Sequence, residues 1–370
     1  MIIEKISVTG LFGKTGETVY DLNADLNVIT GRNGSGKTTI LKLAWFIVSG
    51  NIIHALQEVS FRVCTIKTDL YTCTVLRTGK AHCKVTLERN GDVTTFEDDV
   101  GDPEEHPFFE SAEDKVRPHL VEAGSSIFFP TFRRIEGGFS LPSESPSRIR
   151  ATAWGTTTSD VDDVLSSLSR KLSNNEHIFV AAISTQDIVG LLLRRYARFS
   201  EEINSYQEQV SRSVIEKIKH YESSQGSQTT ADSLLSETRE EIERIEQFRS
   251  ETMSPLDAVR GLVEKLFQHS GISFGKRLSF GDAAAAVNSD KLSAGEKQML
   301  SFICYNAFYS NTVVFIDEPE LSLHVDWQRQ LYPILKSQNS QNQFIFATHS
   351  PFIYGKYPDK EMVVGMDRGD

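Results

Sequence analysis

Gly31-Arg32-Asn33-Gly34-Ser35-Gly36-Lys37-Thr38 is the stretch from which the architecture of this chain is read. It fits the eight-position Walker A pattern, a glycine-rich loop closed by Lys and Thr. Before it, Leu26 to Thr30 has the character of a strand; after it, Ile40 to Val48 that of a buried helix. Strand, loop and helix in that order are the context the pattern requires. Glycines let successive backbone N–H groups curl around phosphate oxygens, and the partial positive charge of the helix start adds to the attraction. The expected nucleotide-binding set is Arg32, Asn33, Gly34, Ser35, Gly36, Lys37, Thr38 and Thr39. Lys37 should reach the β and γ phosphates of ATP, and Thr38 should place its hydroxyl on Mg²⁺.

Working outward, Val313-Val314-Phe315-Ile316-Asp317-Glu318 is an apolar run ending in two carboxylates. It reads as a buried parallel strand that delivers acids to the C-terminal edge of a sheet. Asp317 is the expected Mg²⁺ residue, through the water shell, and Glu318 the residue that polarises an attacking water. An Asp-Glu pair before a Pro turn is common alone; its pairing with the glycine loop decides for chemistry. Thr348-His349-Ser350 follows another predicted strand, Gln343 to Ala347, and its imidazole is placed to meet the γ-phosphate or the attacking water.

Leu292-Ser293-Ala294-Gly295-Glu296-Lys297-Gln298 opens a helix predicted to run for roughly sixteen residues from Lys291. Ser293 and Glu296 form an S-x-x-E capping box that would stabilise a helix start in any protein. The same open N–H groups make an anion site, so Ser293, Gly295 and Glu296 are also candidates for contact with a γ-phosphate presented by a second subunit.

Together these four segments resemble the ABC ATPase superfamily, and the Gly-Glu ending of the signature with Asp-Glu-Pro-Glu-Leu-Ser-Leu-His is similar to its SMC, RecF and OLD branch. The resemblance covers about residues 1 to 50 and 285 to 352. It implies an α/β fold: a P-loop NTPase head of ABC type with an antiparallel β subdomain and an inserted helical, short coiled-coil-like subdomain. It also implies an ATP-sandwiched dimer or higher homo-oligomer, with Lys37, Thr38, Asp317, Glu318 and His349 acting in cis and Ser293 and Gly295 in trans. Asp326 falls near the family's D-loop. For the family's Q-loop, Gln186 is a candidate metal residue, and equally a plain helix-start residue. Arg133 and Arg134 read as phosphate sensors or surface charges.

Phrases such as Leu-Lys-Leu-Ala-Trp and Phe-Phe-Pro-Thr-Phe-Arg-Arg-Ile-Glu-Gly look similar to ATPase subunits of bacterial anti-phage systems, including those of the PARIS type. That resemblance implies an ATPase serving as sensor and scaffold, which holds a separate effector nuclease and releases it on meeting a phage trigger protein. With 21 residues after His349, no nuclease domain is expected within the chain. The alternative is a DNA-repair or DNA-end-binding ATPase.

Composition sets the remaining bounds. The 370 residues are 39% hydrophobic and 24% charged, ordinary for a globular chain. A net charge of -11 does not indicate a nucleic-acid platform, although a local basic groove stays open. The acidic run Glu97, Asp98, Asp99, Asp102, Glu104 and Glu105 reads as a solvated loop. No apolar run reaches the roughly 18 residues of a membrane span, and Glu4 and Lys5 interrupt any signal peptide, so a cytoplasmic location is expected. Cys64, Cys73, Cys83 and Cys304 lack C-x-x-C spacing and read as reduced strand and helix residues.

Three regions are expected. Residues 1–150 hold the first half of the head, with strand Ile2 to Phe12, a β-rich stretch from Phe61 to Phe96 turning at Asn90-Gly91, a short strand at Ile127 to Pro130, and a loop from Gly137 to Ser159. Residues 151–270 hold the helical insertion. Its apolar residues at spacings of three and four (Leu192, Tyr196, Phe199, Ile203, Tyr206, Val210, Val214, then Leu235, Ile242, Ile245, Phe248) predict two antiparallel helices joined by a polar break, Ser223 to Ser233, or two ordinary amphipathic helices on the core. Residues 271–370 complete the head, including a helix near Trp327 to Lys336.

Overall fold

Alternating apolar strands and helices build a parallel sheet, and the sequence supplies them from both ends of the chain. The computed structural model describes residues 1–13, 15–99, 110–131, 134–135, 160–183, 185–223, 228–266, 293–338 and 340–365. They divide into two compact units.

The first unit contains Met1–Ser184, Ser293–Phe302 and Tyr309–Asp370. Its antiparallel sheet is formed by β1 (Ile3–Thr9), β2 (Glu17–Asp21), β4 (Val63–Thr68), β5 (Thr72–Arg77), β6 (Cys83–Arg89) and β7 (Asp92–Glu97), in the order β2-β1-β4-β5-β6-β7. The expected β subdomain after the first helix is therefore wider than predicted, because the N-terminal strand joins it through β1–β4 pairing. That strand also stops at Thr9 rather than Phe12: Gly10 and Phe12 both adopt positive φ, which turns the chain out of the ladder. Asn90 (φ +54°) and Gly91 (φ +88°) make the expected tight β6–β7 turn.

The parallel sheet runs β10 (His177–Phe179), β8 (Ser126–Phe129), β12 (Val313–Asp317), β13 (Gln343–Ala347), β3 (Leu26–Thr30), β14 (Glu361–Val363). Every pairing in it is parallel, and β3, β8, β12 and β13 are buried along their whole length, as their mainly apolar sequences require. A small parallel pair, β9 (Arg134–Ile135) with β11 (Ala182–Ile183), lies apart from it in the pairing order.

Helix α1 (Lys37–Val48) packs against β8, β12 and β13 of the parallel sheet and β4 of the antiparallel one. Contact on both sides explains why its apolar residues are not confined to one stripe. Trp45 is fully buried there, with ring centroids 5.4 Å from Phe128 and 5.3 Å from Phe179. The buried Gln343 amide joins the two sheets, accepting from Ile3 N at 2.8 Å and donating to Ile3 O at 2.7 Å and Asn23 O at 2.8 Å. Shorter helices complete this unit: α2 (Ile52–Glu58), α3 (Ala112–Val121), α4 (Asp160–Leu172), α8 (Val325–Lys336) and α9 (Pro351–Tyr354). Helix α7 (Ala294–Phe308) belongs to this unit up to Phe302.

The second unit, Thr185–Leu292 with Ile303–Phe308, contains α5 (Thr185–Ser223) and α6 (Gln228–Leu266). They run antiparallel, with Tyr206 stacked on Phe248 at 4.3 Å and Lys217 bridging to Glu237 and Glu241. The predicted polar break is shorter than Ser223 to Ser233, since helix resumes at Gln228; from there to Ser233 the residues are mainly polar but include no Gly or Pro to stop a helix. Leu192 and Ile203 of the predicted stripe are buried, whereas Leu235 and Ile242 are exposed.

Cys64, Cys73, Cys83 and Cys304 are buried free thiols, and burial raises all four, Cys73, Cys83 and Cys304 to about 12. No described helix is long and apolar enough to cross a membrane. The loop from Gly137 to Ser159, and Asp102, Glu104 and Glu105 of the acidic run, lie outside the described residues.

Candidate active site

In the parallel sheet β13 lies between β3 and β12. Their C-terminal ends therefore bring three distant segments side by side: the glycine loop after β3, Thr348-His349 after β13, and Asp317-Glu318 ending β12. Lys37 Nζ, 2.6 Å from His349 Nε2, also donates to the carbonyls of Gly31 (3.2 Å) and Arg32 (3.3 Å). Thr38 Oγ1 donates to Asp317 Oδ1 at 3.0 Å. His349 Nε2 lies 3.3 Å from Glu318 Oε1. Five of the sequence-predicted residues thus meet at one sheet edge in two adjoining sets of contacts, Lys37–His349–Glu318 and Thr38–Asp317, held together because Lys37 precedes Thr38 and Asp317 precedes Glu318 in the chain.

The loop is shaped by glycine. Gly31, Gly34 and Gly36 all have positive φ (+147°, +75° and +102°), a region L side chains seldom adopt. A Cβ on Gly31 would meet Val364 O at 2.4 Å and Ser35 Oγ at 2.8 Å, and one on Gly36 would meet the Phe12 ring at 2.3 Å. Gly36 directly precedes α1, whose first N–H groups have no partner within the helix. Ser35 Oγ is buried without a hydrogen-bond partner, a donor that an incoming phosphate oxygen would satisfy. Arg32, Asn33 and Gly34 are exposed, Thr38 and Thr39 half-buried. Gly31 to Ser35, Thr348 and His349 line a cavity of about 730 Å³ together with Tyr354, Glu361 and Val363 to Gly365.

Electrostatics follow from crowding charges at a sheet edge. Burial pushes the Glu318 carboxyl up to about 8, helped by the Glu320 and Asp317 carboxyls beside it and opposed by Lys37. Burial also lowers the Lys37 ammonium, which Glu318 and Asp317 pull back up. His349 is lowered by burial and by the Lys37 cation, against the pull of Glu320 and Asp317. Asp317 is fully buried, with Thr38 and Thr131 hydroxyls donating to its two oxygens. Hydroxyl and carboxylate oxygens of this kind suit Mg²⁺, which takes one or two protein carboxylates and leaves the rest of its shell to water and phosphate. Among the described residues no group of three His, Cys, Asp or Glu side chains is arranged to hold a metal.

Ser293, Gly295 and Glu296 stand at the start of α7. The predicted capping box is present, with Ser293 N donating to Glu296 Oε2 at 2.7 Å and Glu296 N to Ser293 Oγ at 3.3 Å. Gly295 is buried against the turn after β12; a Cβ there would lie 2.3 Å from Ser322 O, and Gln298 Nε2 donates to Pro319 O at 3.0 Å. Leu292 and Arg133 lie outside the described residues, as do the side chains of Arg134, in β9, and Gln186, on the first turn of α5. Asp326 is exposed on the first turn of α8, whose cap is the His324 side chain.

The sequence reading missed Thr131 and Glu320. Thr131 follows the apolar run of β8, the other neighbour of β12, and that adjacency is invisible without the sheet order. Glu320 accepts a hydrogen bond from His349 N at 2.7 Å; its signal was the third acid of Asp317-Glu318-Pro319-Glu320.

The protein-family model described as AAA domain, putative AbiEii toxin, Type IV TA system matches residues 126–354, more than half of the chain, and spans β12, His349 and the start of α7. No curated protein matches the chain. Among solved structures it is similar to an Smc head domain with an extended coiled coil bound to the C-terminal domain of ScpA from Pyrococcus furiosus, at 14% identity and TM-score 0.42, over 96% of this chain and 91% of that one. It is also similar to an Smc head bound to the C-winged helix domain of ScpA, at 11% identity and TM-score 0.38, with the same coverage.

Proposed function

The chain belongs to the AAA-domain family of putative AbiEii toxins of type IV toxin–antitoxin systems, and from that premise we propose that it binds and hydrolyses ATP at the cluster above. One observation carries the reading: Lys37, Thr38, Asp317, Glu318 and His349, drawn from three strand ends, meet in two adjoining sets of contacts, Lys37–His349–Glu318 and Thr38–Asp317, beside a glycine cradle. Mg²⁺, when bound, supplies positive charge to the phosphate oxygens. Thr38 and Asp317 are the residues that would hold it. Lys37 exchanges the imidazole and loop carbonyls for phosphate oxygens. The buried Ser35 hydroxyl and the N–H groups at the start of α1 add further donors. Glu318, in its carboxylate form, takes the proton of the attacking water. His349, already within reach of both Lys37 and Glu318, orients that water.

The protein works as a homo-oligomer in which Ser293 and Gly295 of one copy close over the γ-phosphate held by another. ATP then favours the closed assembly because the phosphate touches both copies, and hydrolysis removes the bridge. In the cell this cycle serves a defence module: the ATPase senses a phage trigger protein and scaffolds a separate effector nuclease. Support comes from the toxin–antitoxin description of its family.

Glu318→Gln tests the core of the reading. It should lower turnover by about 10²- to 10⁴-fold, the usual contribution of a general base, while ATP is still retained. In size-exclusion chromatography with ATP the variant should elute as an oligomer, and adding Ser293→Arg should return it to the monomer. Unaltered turnover would remove Glu318 from the base role, and an ATP-independent elution volume would end the sandwich.

A further inference from the structure

Beyond the five clustered side chains, we propose that Glu320 is a positioning residue of the ATPase reaction, its carboxylate fixing the backbone of His349 and so deciding where the imidazole stands. The inference rests on the ATPase reading above. Its starting point is the backbone where β13 ends. Glu318 N donates to Ala347 O at 2.8 Å, and Thr348 N donates to Ile29 O at 3.1 Å, which completes the ladder with the neighbouring strands. The next amide, His349 N, has left the sheet, and its partner is Glu320 Oε1 at 2.7 Å. A carboxylate accepting a backbone N–H makes a charge-assisted bond, roughly twice as strong as a neutral one.

A second pin lies one residue on. Ser350 Oγ donates to Gln328 Oε1 at 2.6 Å, and Gln328 Nε2 donates to Leu323 O at 2.8 Å. Both pins belong to the segment Glu320 to Gln328, the turn after β12 and the first residues of α8. That turn is unusual in its own backbone. Glu318 has φ +50° and Ser322 φ +64°, conformations that non-glycine residues keep only where their surroundings impose them. The surroundings here are the start of α7: Gln298 donates to Pro319 O, and Gly295 closes on Ser322 O.

A continuous path therefore runs from Gly295 and Gln298, through the strained turn, to Glu320 and His349, and from the imidazole to Lys37 and Glu318. The start of α7 is the part of the chain placed above against a second copy's nucleotide. A displacement of that helix start would reach His349 through Glu320, making the imidazole of one copy responsive to engagement of its own signature helix. Glu320 contacts neither nucleotide nor water in this scheme; it positions His349 through the backbone bond, while its carboxyl also stands beside that of Glu318.

The test is a kinetic split with a double-mutant cycle. Glu320→Ala should lower kcat by up to about 100-fold, the effect of misplacing a group by about an ångström, with affinity for a fluorescent ATP analogue within twofold of wild type. Glu320→Gln, which keeps an acceptor oxygen, should recover part of the loss. In a His349→Ala background, Glu320→Ala should cost almost nothing further, because both substitutions remove the same function. If Glu320→Ala folds poorly, Gln328→Ala, which removes the second pin, should show the same loss of kcat at unchanged affinity. Wild-type kcat in Glu320→Ala or in Gln328→Ala, or a full additional loss in the His349→Ala background, overturns the inference alone. A wild-type protein with no turnover above that of Lys37→Met overturns the ATPase reading and the inference with it.

Discussion

Lys37→Met removes the ammonium and keeps a chain of similar length in a buried channel. The Lys37 ammonium is engaged with Gly31 O, Arg32 O and His349, so its net contribution to ATP binding is the difference between those partners and phosphate oxygens. Two charge-assisted hydrogen bonds at about 1.5 kcal/mol each set that difference at about 3 kcal/mol. At 1.4 kcal/mol per decade, affinity should fall about 100-fold. Linkage turns this into a thermal readout. At an ATP concentration about 100 times the wild-type Kd, binding stabilises the wild type by about 2.7 kcal/mol; the variant, then near its own Kd, gains about 0.4 kcal/mol. Thermal unfolding with and without Mg-ATP measures both values. Lys37→Arg should fail similarly, since a planar guanidinium does not fit between two carbonyls that hold a single point charge. An ATP-induced shift in Lys37→Met equal to that of the wild type would refute the reasoning.

Gly31→Ala should disable nucleotide binding more than it unfolds the protein: the new Cβ must displace Val364 O or Ser35, each part of the cradle, on top of about 1–3 kcal/mol of backbone strain. Gly91→Ala, with positive φ but open space around it, should cost stability alone and leave ATP titrations unchanged. The raised Glu318 carboxyl predicts a pH slope: the folded protein keeps a proton there that the unfolded chain, near 4.5, gives up. Its contribution is complete below about 4.5 and is lost as pH rises through about 8, so denaturant midpoints should fall across that window and Glu318→Gln should flatten the fall. Trp45→Ala should cost about 3–5 kcal/mol, read as a lowered midpoint in chemical unfolding, because the indole fills the space between Phe128 and Phe179.

Local signals were legible where local chemistry imposes them. Only glycine tolerates the backbone of Gly31, Gly34 and Gly36, so the loop announces itself. Asn90-Gly91 likewise states its turn, and the unbroken apolar run of β12 states its burial on both faces. What escaped the sequence depends on pairing across hundreds of residues. β1 was legible as a strand but not as a member of the antiparallel sheet, because its partner β4 is specified by matching apolar faces rather than by either strand alone. Thr131 and Glu320 are a plain threonine and a plain glutamate until β8, β12 and β13 lie in order. Phe12 reads as strand-end hydrophobe, yet its ring lies against Gly36, and only the left-handed turn at Gly10 to Gly13 brings it there.

The strand that carries the glycine loop has β13 on one side and β14 on the other, both drawn from the last thirty residues of described chain. In chain order β3 precedes both partners by most of the described residues and stays unpaired on those two sides until they follow; Ile3 waits for the Gln343 amide in the same way. Such long-range closure is slow and leaves a sticky edge exposed on the nascent chain, so recruitment of holding chaperones should be heavy before release.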